Sequence, residues 1–130
     1  MRAEVLDYIN SLSLGTFIPT QELPWDSDGT PLYLKNPKKV YVDVTEYTSE
    51  PVVVTLDSLR IHNEVSTVRV YFACDAKVLP SNYDEVVRDL RGVKDMTYDE
   101  VNNRVVNVTT SFQADMLVTE LEIRFTKLST

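Results

Sequence analysis

The chain has 130 residues, of which 43% are hydrophobic and 25% charged, as in folded globular proteins, and its length fits one domain spanning residues 1–130. Thirteen basic residues against twenty acidic ones give a net charge of −7, which disfavours sequence-specific binding to nucleic acid. The three glycines, one histidine and one cysteine exclude glycine-rich phosphate loops, a disulfide within the chain, and a zinc site built from cysteine and histidine.

The N-terminal segment has the pattern of an amphipathic helix. Apolar residues recur at helical spacing at Val5, Ile9 and Leu12, which predicts a helix over residues 2–14. Gly15 follows at a position where glycine commonly ends a helix. This helix is expected to pack on the core, with an exposed partner-binding helix as the alternative. No apolar run in the chain is long enough to span a membrane, so no membrane partner is expected.

Residues 16–38 are predicted to form a long irregular segment. They hold four of the six prolines, and proline lacks the N–H donor that helices and strands use. Loops of this length in compact domains are often functional. We expect residues 16–37 either to pack back on the core or to contact another subunit, with Trp25 as the best anchor because tryptophan dominates interface hot spots. The candidate interface residues are Phe17, Ile18, Leu23, Trp25, Leu32, Tyr33, Lys35, Lys38 and Lys39.

Three strands are predicted in the middle of the chain. Apolar residues alternate with polar ones over residues 40–44, as in a half-buried strand. A polar turn is expected over Glu46–Pro51, followed by a second strand over Val52–Leu56. A third strand is predicted over Val65–Cys74, and His62 is placed in the turn before it.

A second helix and two further strands complete the predicted elements. Ser81 precedes the helix at a capping position, and Gly92 ends it. The last two strands are predicted over Asn103–Phe112 and Leu117–Leu128, with odd-numbered residues 117–125 facing the core and the other face in water. The order α-β-β-β-α-β-β indicates an α+β fold, with two helices on one face of an antiparallel sheet and a long extended loop.

No motif indicates a catalytic or metal site. His62 is accompanied by no Gly-x-Ser-x-Gly nucleophile motif, and Cys74 is followed by Asp75, whose charge disfavours a reactive thiolate. The stretch Asp26–Gly29 begins like a calcium loop, but prolines stand where an EF-hand needs glycine and glutamate, so a polar turn is expected. We therefore expect no cofactor, no bound metal and no enzymatic activity.

Five segments spread over residues 1–128 carry a resemblance to a known family. Together they resemble the tail terminator proteins of long-tailed phages, the family of the lambda minor tail protein U. The segments are the helix Met1–Leu14, the strand Lys39–Val44, the strand Thr67–Phe72 leading into Asp75, the helix near Asn82–Arg91, and the paired strands ending in Leu121–Phe125.

The resemblance implies a structural protein of the virion, made in the host cytoplasm. Such proteins form a ring, expected to be a hexamer, on the head-proximal end of the tail tube. The ring stops the growth of the tube and offers a surface for head-tail joining. The implied partners are other copies of the chain, the tail tube protein and a head-tail connector protein. An acidic ring lumen would let DNA pass without binding it.

Other interpretations stay open at the level of the sequence. A different head-tail connector or a tail-tube subunit could share the same order of elements. A small non-viral protein-interaction module with a hydrophobic groove is an alternative of a different class. An enzyme is disfavoured because no site for it is found among the residues.

Overall fold

A computed structural model describes residues 1–54, 60–95 and 103–129. These residues form three α-helices, namely α1 (Arg2–Asn10), α2 (Leu32–Lys35) and α3 (Tyr83–Arg91), and a 3₁₀ turn, Gly92–Asp95, that follows α3. Six strands accompany them: β1 (Ile18–Pro19), β2 (Lys39–Val42), β3 (Glu46–Val54), β4 (Arg60–Asp75), β5 (Asn103–Gln113) and β6 (Met116–Ser129). No helix among the described residues is long and apolar enough to cross a membrane.

The six strands form one mixed sheet in the order β1-β2-β4-β6-β5, and β3 pairs with β4 beyond the end of β2. The β1–β2 pairing is parallel and the other pairings are antiparallel. The predicted α+β class is confirmed. The predicted order of elements omits β1 and α2, because both are short elements within the segment whose prolines suggested an irregular loop.

One face of the sheet packs against α1 and α3. Residues at alternate positions of β4, such as Val68, Val70 and Phe72, point into this main core, and so do the odd-numbered residues of β6 from 121 to 125. The core residues that the periodicity predicts are each at most 1% exposed and lie in this one cluster, which confirms that prediction: Ile9, Val42, Val70, Leu90, Leu121 and Ile123.

The opposite face of the sheet carries a second, smaller core. Its strand residues are Tyr41, Tyr71, Ala73 and Val118, and Tyr33 covers them from α2. The prediction that this face lies in water is therefore wrong for the part that the second core covers. The segment before β2 folds back over one end of the face and adds three partly buried apolar residues, Trp25, Leu32 and Leu34, and Met116 of β6 packs beside them.

Both predicted helix boundaries near α1 and α3 need correction. Helix α1 ends at Asn10, and Gly15 lies in a later turn with φ +66°. Ser81 is not the cap of α3, because Asn82 occupies the N-cap position. The Asn82 side-chain amide donates instead to the Leu14 carbonyl oxygen at 3.2 Å, so it ties the start of α3 to the chain that follows α1.

The predicted polar turn over Glu46–Pro51 is wrong, because these residues begin strand β3. His62 also lies in a strand, opposite Pro51 in the β3–β4 ladder. Polar side chains hid the first residues of both strands from the periodicity, since an exposed ladder needs only paired backbone groups. Of the predicted strand Val52–Leu56, the first three residues belong to β3 and the last two lie outside the described residues.

The tyrosines of the second core should make stability depend on alkaline pH. Burial raises the pKa of Tyr33, Tyr41 and Tyr71 above the ordinary 10.0, and the charge of Glu120 adds to the effect at Tyr33 and Tyr71. The folded chain therefore retains phenolic protons that the unfolded chain loses, and the free energy of unfolding should fall as pH rises beyond about 10. Urea unfolding at a series of pH values measures this fall, and Tyr71→Phe should make it shallower. An unfolding free energy that stays constant above pH 10 would contradict the assignment.

Candidate assembly surfaces

The segment of residues 16–37 passes from one face of the sheet to the other around the β1–β2 edge. Phe17, at its start, belongs to the main core and contacts the Phe72 ring edge-on with centroids 5.0 Å apart. Trp25 and Tyr33, further along, pack in the second core. The segment therefore contributes to both cores of its own chain.

A network of hydrogen bonds holds the middle of this segment. The carboxylate Oδ1 of Asp26 accepts the backbone N–H groups of Asp28 and Thr30, both at 2.9 Å. The Thr30 bond is the main reason that the pKa of Asp26 lies below its usual value. The Leu32 N–H donates to the Pro24 carbonyl oxygen at 2.7 Å. These bonds confirm the polar turn expected at Asp26–Gly29 and close a compact loop around Trp25.

The aromatic rings of the second core contact one another directly. Tyr33 stacks on Tyr71 with an interplanar angle of 8° and centroids 5.2 Å apart. Trp25 meets Tyr71 edge-on at 5.2 Å. Of the two interpretations left open for Trp25, the structure shows packing on its own chain.

The nine candidate interface residues fall into three groups. Phe17 and Tyr33 are buried within their own chain, so they are not available to a partner while the fold is intact. Trp25, Leu32 and Lys39 are half-buried. The residues that face solvent are Ile18 at 62% exposure, Leu23 at 44%, Lys35 and Lys38. That this segment contacts another subunit stays a prediction, and it is these four exposed side chains that could make the contact.

Strand β5 forms an open edge of the sheet that the sequence reasoning did not single out. It pairs with β6 only, over its whole described length. Residues 105–113 include no charged residue and no proline, and Phe112 is 77% exposed. Natural proteins commonly protect edge strands with charges, prolines or bulges. The uncharged run in the sequence was the available signal, and it marks β5 as an edge suited to pairing with another strand.

A basic cleft of about 600 Å³ borders this edge on the helix side. Its floor includes Val87 and Val108, and three exposed cations line it, Arg88, Arg91 and Lys94, together with one acid, Asp84. In a chain of net charge −7, this concentration of positive charge favours an acidic partner beside β5.

Strand β3 forms an open edge on the opposite side of the sheet. Within the described part of the chain it pairs with β4 alone. Its residues 46–51 are all exposed, with Tyr47 at 58%. Strand β3 contains two acids, Glu46 and Glu50, and no basic residue. The acids of β3 lie on the sheet face opposite the helices, whereas the cations beside β5 lie on the helix side.

Arg69 organises the polar part of the sheet face opposite the helices. Its guanidinium lies 2.7 Å from Glu46, 3.4 Å from Glu120 and 3.5 Å from Glu122. The hydrogen bond to Glu46 is the largest reason that the pKa of Arg69 is raised. One cation thus connects β3, β4 and β6, and it offsets the repulsion among three carboxylates.

Replacement of Arg69 should expose that repulsion. We expect Arg69→Met to lower the free energy of unfolding by about 1–2 kcal/mol, a value kept small because Glu46 is largely exposed. The effect should shrink at about 1 M salt, where charges are screened. Arg124→Met is the matched control, since Arg124 is more exposed and lies 3.0 Å from Glu122, and it should cost less than about 0.5 kcal/mol. Equal losses for the two variants in urea titrations would argue against a central role of Arg69.

The groups with potential chemistry do not converge in the described part of the chain. Cys74 is fully buried, and burial raises the pKa of its thiol, as does the neighbouring charge of Asp75. Among the described residues, no three His, Cys, Asp or Glu side chains lie close enough together to hold a metal ion. Neither the family models nor the curated proteins compared with the chain gave a match.

Proposed function

We propose that this chain is a structural protein of a long-tailed phage virion, a tail terminator that forms a ring of six copies on the head-proximal end of the tail tube. In this role the ring stops the addition of tube subunits, and its other face receives the head-tail connector protein. The order of elements over residues 1–128 and the α+β sheet with helices on one face support the proposal.

The observation that carries the proposal is the pair of open edges on opposite sides of one sheet. A ring of identical subunits needs two different surfaces on each subunit, each of which contacts the other surface of a neighbour. Strand β5, bordered by a basic cleft, and strand β3, which is acidic, are two such surfaces. A subunit with a single edge of this kind would form a dimer and stop there.

The overall charge agrees with the proposed position on the path of DNA. With a net charge of −7 per chain, a ring of six presents a strongly negative potential to the phosphate backbone. Such a lumen would let DNA move through the ring without sequence-specific contact.

Growth of the tail tube tests the function directly. Tubes incubated with the chain before fresh tube subunits are added should stop lengthening at the capped end, and the length measured by electron microscopy should stay constant. A tube subunit would lengthen the tubes instead, and an unrelated interaction module would leave their growth unchanged. Either of these outcomes contradicts the proposed terminator role. Mass spectrometry of purified virions should also detect the chain.

A further inference from the structure

The backbone groups along β5 alternate between the sheet and the open side. Gln113 and Met116 are paired across a two-residue turn in which Ala114 and Asp115 both have positive φ. The pair that closes such a turn is hydrogen-bonded, so odd-numbered residues of β5 face β6. The N–H and C=O groups of residues 106, 108, 110 and 112 therefore point to the open edge.

The backbone groups of β3 also alternate between the sheet and the open side. Asp43 and Lys38 donate their backbone N–H groups to the carbonyls of Arg69 and Ala73, so odd-numbered residues of β4 bond towards β2 and β3. Tyr47, Ser49 and Pro51 are opposite even-numbered residues of β4. Their backbone groups consequently point away from β4, and Tyr47 and Ser49 present free directions for both donor and acceptor.

The two edges are compatible in direction and in face. Three antiparallel pairings connect β3 to β5 through β4 and β6, so β3 and β5 run in opposite directions. When a second copy lies beside the first with its helices on the same side, its β3 is antiparallel to β5 of the first copy. The open positions of both strands, including Tyr47 and Val108, then share the helix side of the sheet.

Charge selects β3 over a second β5 as the partner. Two β5 edges placed together would bring two copies of Arg88, Arg91 and Lys94 close to each other. Strand β3 carries no basic residue, so its pairing with β5 avoids that repulsion. The uncharged residues 105–113 of β5 add no repulsion.

We propose that β5 of one copy pairs in antiparallel fashion with β3 of the next copy, so that the sheets of neighbouring subunits join edge to edge around the assembly. The occupant of the β5 edge is thus the segment Glu46–Pro51 of a second copy of this chain. This contact rests on the proposed ring, for which it supplies the subunit interface.

Two edge variants test the contact by complementation. Val108→Pro removes an open N–H from β5, and Ser49→Pro removes one from β3, while both leave the ladder bonds within the chain in place. Each variant alone should self-associate at least about tenfold more weakly than the wild type. An equal mixture should form a heterodimer and nothing larger, because each variant keeps one intact edge that fits the intact edge of the other.

The other outcomes overturn the contact, and they separate it from the proposed function. If Ser49→Pro still dimerises alone while Val108→Pro does not, two β5 edges pair with each other. If both variants form the same rings as the wild type, the interface lies elsewhere and the ring function stands. If the wild-type chain stays monomeric with and without tail tubes, both proposals fail. Analytical ultracentrifugation reads out all of these states.

Cysteine cross-linking tests the same contact between β5 and β3 without the proline substitutions. A chain with Ser49→Cys is mixed with a chain that carries Thr110→Cys or Phe112→Cys, and the mixture is oxidised mildly. We expect a disulfide-linked dimer only in the mixture, since each chain alone holds no opposed pair. The native Cys74 is buried and should stay reduced. A disulfide-linked dimer formed by a β5 variant alone would overturn the contact. The absence of a cross-link in every mixture that assembles would overturn it as well.

Discussion

Leu121→Ala should lower the free energy of unfolding by about 2–5 kcal/mol, the range for large-to-small changes in a packed core. Leu121 is fully buried in the main core, between Val70 of β4 and Val108 of β5 in the register of the sheet. Its removal leaves a cavity beneath α1 and α3 that the rigid sheet can fill only in part. Urea denaturation, monitored by circular dichroism, measures the loss.

Leu128→Ala is the matched control, because it makes the same change seven residues further along β6. Leu128 is 57% exposed, so its truncation should change stability by less than about 0.5 kcal/mol. A large loss at Leu128 with a small loss at Leu121 would mean that β6 is shifted by one residue, since such a slip exchanges the two faces of a strand.

Trp25→Ala should destabilise the monomer by about 2–4 kcal/mol, somewhat less than the range for a fully buried tryptophan because the ring is only partly buried. The Trp25 ring contacts Tyr71 and Tyr33 edge-on, and its loss opens the second core to water. Thermal unfolding and sedimentation of the same variant separate a folding role from an assembly role.

Leu23→Ala serves as the control, because Leu23 lies in the same segment but is 44% exposed and belongs to neither core. It should leave the melting temperature unchanged. If Trp25→Ala melts with the wild type and loses only its association with other copies or with tubes, Trp25 is an interface residue. The packing of the second core would then contribute little to the stability of the monomer.

The sequence predicts the main core because its signal is local and periodic. In β6, apolar residues alternate with charged ones from Leu121 to Phe125, and a period of two assigns each residue to a face. The face of Leu121 and Ile123 is confirmed by their burial. The spacing of Val5 and Ile9 likewise predicts which side of α1 meets the sheet.

The second core could not be predicted in the same way. Tyr41 and Tyr71 occupy positions that alternation assigns to water, and tyrosine is common on exposed faces as well as in cores. The residues that cover them come from a proline-rich segment without periodicity, so only the tertiary fold shows which way Trp25 and Tyr33 turn. The sequence therefore left open whether residues 16–37 pack on their own core or contact another subunit.

The two open edges could be predicted from the sequence only in part. The uncharged run of β5 is visible in the sequence, but whether a strand lies at the edge or in the middle of a sheet depends on the order of strands, which periodicity does not report. The position of β3 was hidden as well, because Glu46–Pro51 has the composition of a turn. Only the strand order of the folded chain identifies β3 and β5 as edge strands, the two surfaces on which the proposed assembly depends.

The most direct test of the proposed function is electron microscopy of tail tubes incubated with the chain carrying a gold label. The proposed function predicts a closed ring of six copies at one end of each tube, and the same single-end labelling in intact tails at the junction with the head. Label distributed along the tube walls, label on both ends alike, or tubes without any label would contradict it.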